Sequence, residues 1–181
     1  MRALRIVFYS AAALVGLFLL VGVFLPTTAH VERSVATSAS PATVYGIVSS
    51  FRRFNEWSPW FELDRQAKYT FAGPDSGVGA RLSWAGDPSK VGTGSQEIIA
   101  IDPGRSVTTR LDFGAQGQAI ATLTIEPDGG GSRVTWAFDT SFEDNFLGRY
   151  FGLFLDRWIG ADYEKGLAKL KAVAEATPPA N

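Results

Sequence analysis

Polarity along the chain changes its period twice. From Ile6 to Leu25 it has no period, because 20 consecutive residues carry no charge. A helix of that length crosses the hydrocarbon core of a bilayer. No polar face interrupts the run, which argues against the core helix of a soluble domain. Between Lys68 and Ser141 the period is two, in six runs bounded by turn residues. Lys68–Gly73 sets Tyr69 with Phe71, and Ala80–Ala85 sets Leu82 with Trp84. Val91–Asp102 is long and opens with Gly92 and Gly94, which predicts a bulge or a close backbone approach. Ser106–Phe113 divides Val107, Thr109, Leu111 and Phe113 from Ser106, Thr108, Arg110 and Asp112. Gln118–Glu126 aligns Ala119, Ala121, Leu123 and Ile125, and Arg133–Ser141 aligns Val134, Trp136 and Phe138. Alternation of this kind marks strands with one buried face, in an antiparallel sheet.

From Asn145 to Thr177 the period becomes helical. Leu147, Phe151, Phe154 and Trp158 recur beside Leu155, Ile159, Tyr163, Leu167, Leu170 and Ala174, and together they predict one broad buried face. The polar face holds Arg149, Asp156, Arg157, Glu164, Lys165, Lys169, Lys171 and Glu175. Gly148, Gly152, Gly160 and Gly166 each cost about 1 kcal/mol relative to Ala. A break is therefore expected before residue 162, with a first segment to Trp158 and a main helix to Thr177. Pro178 and Pro179 stop it.

The segments between are shorter. His30–Thr37 reads as a strand through Val31 and Val35. Ser40 and Pro41 form a helix start, with Ser at the N-cap and Pro at N1. A short helix through Val44, Ile47, Val48 and Phe51 then ends in an aromatic turn, Phe54–Phe61, which Pro59 interrupts. Pro127–Gly131 reads as a hairpin loop. The order is an apolar helix, a strand, short helices, a six-stranded meander and a long helix. That order predicts an α+β fold in which the sheet curls around the last helix. The expected divisions are an anchor at 1–29, one domain at 30–177 and a tail at 178–181.

Composition removes whole classes of function. Lys and Arg number 17 against 18 Asp and Glu, so no basic surface invites nucleic acid. Cysteine is absent, which excludes disulfides, thiolate metal sites and thiol nucleophiles. His30 is the single histidine, so no His-rich metal site can be built. No cofactor or metal is expected. Arg2 and Arg5 precede the apolar run and place its start in the cytoplasm, with the rest of the chain outside. Thr27-Thr28-Ala29 offers a signal-peptidase site as the competing reading. Secretory apolar regions usually span 7–15 residues, however, which favours a retained single-pass anchor.

Several stretches together resemble the START-like superfamily, also known as the SRPBCC or polyketide cyclase/dehydrase group. They are Arg33-Ser34-Val35 before Ser40–Tyr45, then Trp57-Ser58-Pro59-Trp60, Gly77–Ala80 with Trp84, and Val91–Gly94. The last is Gly160–Leu167 with Leu170-Lys171. The resemblance covers about residues 30–176. It implies a helix-grip fold: a curved antiparallel sheet of about seven strands with a hydrophobic tunnel against the C-terminal helix. Members bind lipids, polyketides, hormones and other apolar ligands, and only some are enzymes, so the fold leaves the activity open.

The expected function is membrane-tethered binding of a hydrophobic small molecule or lipid. A cyclase- or dehydratase-like enzyme and a structural domain with a filled core are the alternatives. The candidate ligand-binding residues are Leu82, Trp84, Leu111, Phe113, Ala121, Leu123, Trp136, Phe154 and Trp158. Pockets are mostly apolar and aromatic, and these lie on inward strand positions or on the gripping helix. Trp57 and Trp60 are read as closing one end. No catalytic residue is nominated. Glu97, Arg110 and Asp112 read as a solvated sheet face, and of Gln96 and Glu97 one looks inward. No Gly-x-Ser-x-Gly elbow occurs, and a triad would need His30 at the membrane edge.

Overall fold

The computed structural model describes residues 2–178; Met1 and residues 179–181 of the expected tail lie outside the described residues. The elements run α1 (Arg2–Phe24), β1 (Thr28–Thr37), α2 (Pro41–Val48), α3 (Phe54–Trp57), β2 (Lys68–Ala72) and β3 (Arg81–Ala85). They continue with β4 (Thr93–Asp102), β5 (Ser106–Asp112), β6 (Gln118–Asp128), β7 (Gly131–Ser141) and α4 (Phe146–Ala176). The fold is an α+β helix grip. One antiparallel sheet of seven strands, in the order β1-β7-β6-β5-β4-β3-β2, packs on α4. Strands β2 to β7 form the meander, and β1 joins it by pairing with the last strand.

The alternation seen in the sequence becomes the core. Val31, Leu82, Ile98, Val107, Ile125 and Val134 are fully buried on the inner face. Val44 and Ile47 of α2 and Tyr163, Leu167 and Leu170 of α4 close over them. Ser40 caps α2 by accepting from the Thr43 N–H at 3.2 Å, with Pro41 following. Asn145 caps α4 by accepting from the Gly148 N–H at 2.8 Å. Gly94 marks a close approach, since a Cβ there would collide with the Trp84 ring. The bulge of β4 falls later, between Ile98 and Ala100. The β6–β7 loop is tighter than Pro127–Gly131: Asp128 pairs with Gly131, and Gly129 and Gly130 turn the chain at φ +57° and +92°. Positive φ at both central residues is the turn that matches strand twist in a two-residue hairpin.

Two expectations for the last helix need correction. First, α4 runs unbroken over 31 residues. Its glycines seat neighbouring groups. A Cβ at Gly148 or Gly152 would strike the Phe142 ring at 2.7 or 2.8 Å, one at Gly160 would collide with the Arg33 guanidinium, and one at Gly166 would lie 2.8 Å from the Trp136 ring. Close packing offsets the lost propensity, as tertiary contacts commonly do.

Second, the apolar residues make two faces. Trp158 and Tyr163, the junction of the two series, are five residues apart, about 140° around a helix of 3.6 residues per turn. Only the Tyr163, Leu167, Leu170 and Ala174 series is buried; Leu147, Phe151, Phe154 and Trp158 are exposed.

Polar ties hold α4 along β1. Arg33 donates to Asp156 at 2.9 Å and to Glu164 at 2.8 Å. Glu175 accepts from the Ser38 N–H at 3.0 Å and from the Thr37 hydroxyl at 3.1 Å. Helix α1 is long and apolar enough to cross a membrane and is almost wholly exposed. Where it touches the domain, Phe18 stacks on Tyr150 with ring centroids 4.3 Å apart, and Gly22 lies beneath Phe146.

Candidate functional site

A cavity of about 240 Å³ lies between the sheet and α4, walled by apolar and aromatic side chains. Strands β3 and β5 contribute Leu82, Trp84 and Leu111, with Phe113 just beyond β5. Helix α4 contributes Ile159 and Tyr163. Phe54 of α3, Trp60, Tyr69 of β2, Val91 and Phe138 of β7 complete the apolar wall. The indole N–H groups of Trp60 and Trp84 are satisfied within the protein. They donate to Asp162 and to the Val91 carbonyl, both at 3.1 Å, which leaves the ring faces to the cavity.

The polar members of the wall are few: Ser58, Lys90, Gln96, Gln116 and the tyrosine hydroxyls. Gln96 is the most telling. It is 6% exposed, pairs across the sheet with Leu82 and Leu111, and opens onto the cavity. Alternation along β4 sends Gln96 inward and Glu97 outward, where Arg81 donates to it at 2.9 Å. Burial pushes the phenol of Tyr163 far above its usual pKa, with the charge of Asp139 adding to the effect. Burial likewise raises that of Tyr69, so both phenols stay neutral. The wall contains no carboxylate and no imidazole among the described residues.

Of the nine side chains expected at a ligand, the structure gathers Leu82, Trp84, Leu111 and Phe113 around this cavity. Ala121, Leu123 and Trp136 are buried but do not line it. Helix α2 packs against β6 and covers that part of the inner face. Trp136 lies under Tyr163, with stacked ring centroids 3.7 Å apart. Phe154 and Trp158 are each 51% exposed and point away from the sheet, because they belong to the second face of α4. Trp60, Tyr163 and Gln96 were not among the nine. Tyr163 continues the buried helical series, and Gln96 alternates with the buried Ile98, so both signals were present in the pattern.

The model of one family, "Polyketide cyclase / dehydrase and lipid transport", matches residues 28–175. The chain belongs to that family. No curated protein matches it. Among solved structures, this member of the polyketide cyclase family is similar to norcoclaurine synthase from Thalictrum flavum, in complex with dopamine and hydroxybenzaldehyde. The two are 16% identical over 87% of this chain and 92% of that one, with a TM-score of 0.63. It is also similar to protein CV1439 from Chromobacterium violaceum, at 18% identity over 84% and 100% of the two chains and a TM-score of 0.59. A third is the di-domain aromatase/cyclase StfQ of the steffimycin biosynthetic pathway. Here identity is 12% over 82% of this chain and 51% of that one, and the TM-score is 0.61. At these identities the shared property is the helix-grip fold.

Proposed function

We propose that the chain is a membrane-tethered receptor for a compact apolar molecule of one or two rings that carries one hydrogen-bonding group. The observation that carries this reading is the Gln96 amide, carried by a residue only 6% exposed and set in a mostly apolar cavity wall. A ligand hydroxyl or carbonyl bonded to that amide gains about 0.5–1.5 kcal/mol net. Size sets the class. An engineered apolar cavity of roughly 150 Å³ accepts benzene, so about 240 Å³ suits a somewhat larger ring system and not a whole membrane lipid. Burial of apolar ligand surface supplies about 25 cal/mol per Å² before the cost of immobilisation.

The tether is α1. Arg2 and Arg5 at its start put that end in the cytoplasm and the domain outside. Residues 28 and 29, where a signal peptidase would cut, are built into the sheet: Thr28 pairs with Ser141 and Ala29 with Thr140. Phe142 also donates to the Thr27 carbonyl at 2.6 Å. That continuity supports retention of α1.

Titration of naphthalene and 2-naphthol into the full chain in lipid nanodiscs, followed by tryptophan emission, tests the reading. Both ligands should saturate, with 2-naphthol binding more tightly. Gln96→Leu should erase that preference while leaving the fold intact. Failure of every compact aromatic to saturate, or an unchanged preference in Gln96→Leu, overturns the proposal.

A further inference from the structure

Leu147, Phe151, Phe154 and Trp158 follow one line along α4 at helical spacings of four, three and four. Their exposures are 58%, 60%, 51% and 51%. Phe154 and Trp158 stack on each other in the open, with centroids 5.5 Å apart. Scattered surface apolar residues need no explanation, but a contiguous aromatic stripe marks a contact surface.

What lies beside the stripe identifies its occupant. Phe146 and Tyr150, on the adjoining side of the same helical turns, hold α1 through Phe18 and Gly22. Arg149 adds a hydrogen bond to the Gly22 carbonyl at 3.3 Å. Phe18 lies six residues before Phe24, the last residue of α1, or about 9 Å at 1.5 Å per residue. When α1 crosses a bilayer, the first turns of α4 therefore sit level with its last turns, where headgroups meet acyl chains. Farther along α4 the same line turns polar, with Lys165 3.7 Å from Asp162 and Lys169 2.9 Å from Glu62. Aromatic rings beside the span, giving way to charged residues beyond them, are the order found at a membrane–water interface.

We propose that the first three turns of α4 lie in the headgroup–acyl boundary of the membrane that α1 enters, with Leu147, Phe151, Phe154 and Trp158 facing lipid. The domain is then pressed against the bilayer and does not swing free on its tether. Ile159, the residue after Trp158, lines the cavity, so the cavity wall lies within one helical turn of the lipid surface. The proposal rests on the reading of α1 as a retained anchor.

The absence of cysteine permits a direct test. Single-cysteine variants Leu14→Cys in α1, Phe154→Cys in the stripe and Glu126→Cys on the far side of the sheet are labelled with nitrobenzoxadiazole. The full chain is placed in phosphatidylcholine–phosphatidylglycerol vesicles. Nitroxides on the lipid acyl chains should quench the labels at 14 and 154, and aqueous iodide should quench the label at 126. A label at 14 quenched by lipid with one at 154 quenched only by iodide overturns the docking while the anchor stands. Labels at 14 and 154 that both respond only to iodide overturn the anchor and the docking together. A label at 154 shielded from both quenchers points to a second copy of the chain on the stripe and overturns the lipid contact. Leu147→Cys repeats each reading at an independent position.

Discussion

The two halves of α4 carry the same apolar spacing and have opposite surroundings. Before Ile159 the large side chains of the Leu147–Trp158 series face outward; from Tyr163 onward the regular series is buried against the sheet. Neither half is more apolar in a way that explains this. The difference lies in what covers each half: β1 runs along both, but the first has α1 and open surface beside it and the second has the sheet's inner face and the cavity. An apolar stripe on a helix therefore announces that something covers it without naming what. In a chain with an attached apolar helix, lipid is one of the candidates.

The sharpest way to break the comparison is to truncate one residue from each half. Leu170→Ala should cost about 2–5 kcal/mol, the range for a fully buried leucine. Phe154→Ala should stay within about ±0.5 kcal/mol, as exposed substitutions do. Urea midpoints of the full chain in detergent micelles measure both, and equal shifts would show that the halves do not differ.

A smaller effect comes from the glycines. Gly166→Ala gains about 1 kcal/mol of helix propensity but drives a methyl into Trp136 and Pro59. Overpacking typically costs about 1–3 kcal/mol, so the net change should be a loss of up to about 2 kcal/mol. Gly46→Ala in α2 has open space around it and should gain about 0.4–1 kcal/mol. Thermal midpoints should move in opposite directions for the two.

The smallest effect is with pH. Arg33 holds the Asp156 carboxylate below its usual pKa, Lys169 does the same for Glu62, and the Ser38 N–H does so for Glu175. Each group is depressed in the folded state, so its contribution is present above the unfolded pKa and drains as pH falls through the folded one. Stability should be level from neutrality down to about pH 4.5, the ordinary glutamate value, and decline below it. Glu175→Gln should make that decline shallower, which acid titration of the denaturation midpoint would reveal.

The sheet was legible because period two survives along most of its strands, up to the bulge of β4: Leu82, Leu111 and Ile125 are buried where alternation put them. Family words placed the helix grip. Part of the cavity's apolar wall followed from the same alternation, since Leu82, Trp84, Leu111 and Phe113 line it. The remainder depended on partners that sequence spacing does not specify. Trp136 faces inward yet is covered by Tyr163, and Ala121 and Leu123 lie on the strand against which α2 packs. Phe154 and Trp158 sit at helical spacing but on the wrong face. The glycines of α4 look like breaks until Arg33, Phe142 and Trp136 are seen resting on them.

The edge pairing of β1 with β7 also sets a clock on biosynthesis. Thr37 pairs with Ser132 and Thr28 with Ser141, separations of 95 and 113 positions. A ribosome adding about 5–20 residues per second needs roughly 5–20 s to make that stretch. Throughout that interval the first strand has been made and its partner has not. Val31 and Val35 are bare, and the backbone groups that β7 will later satisfy are open to any other extended chain. Long-range closure is slow for the same entropic reason. The newborn domain thus depends on whatever shields a single naked strand until its last hairpin arrives.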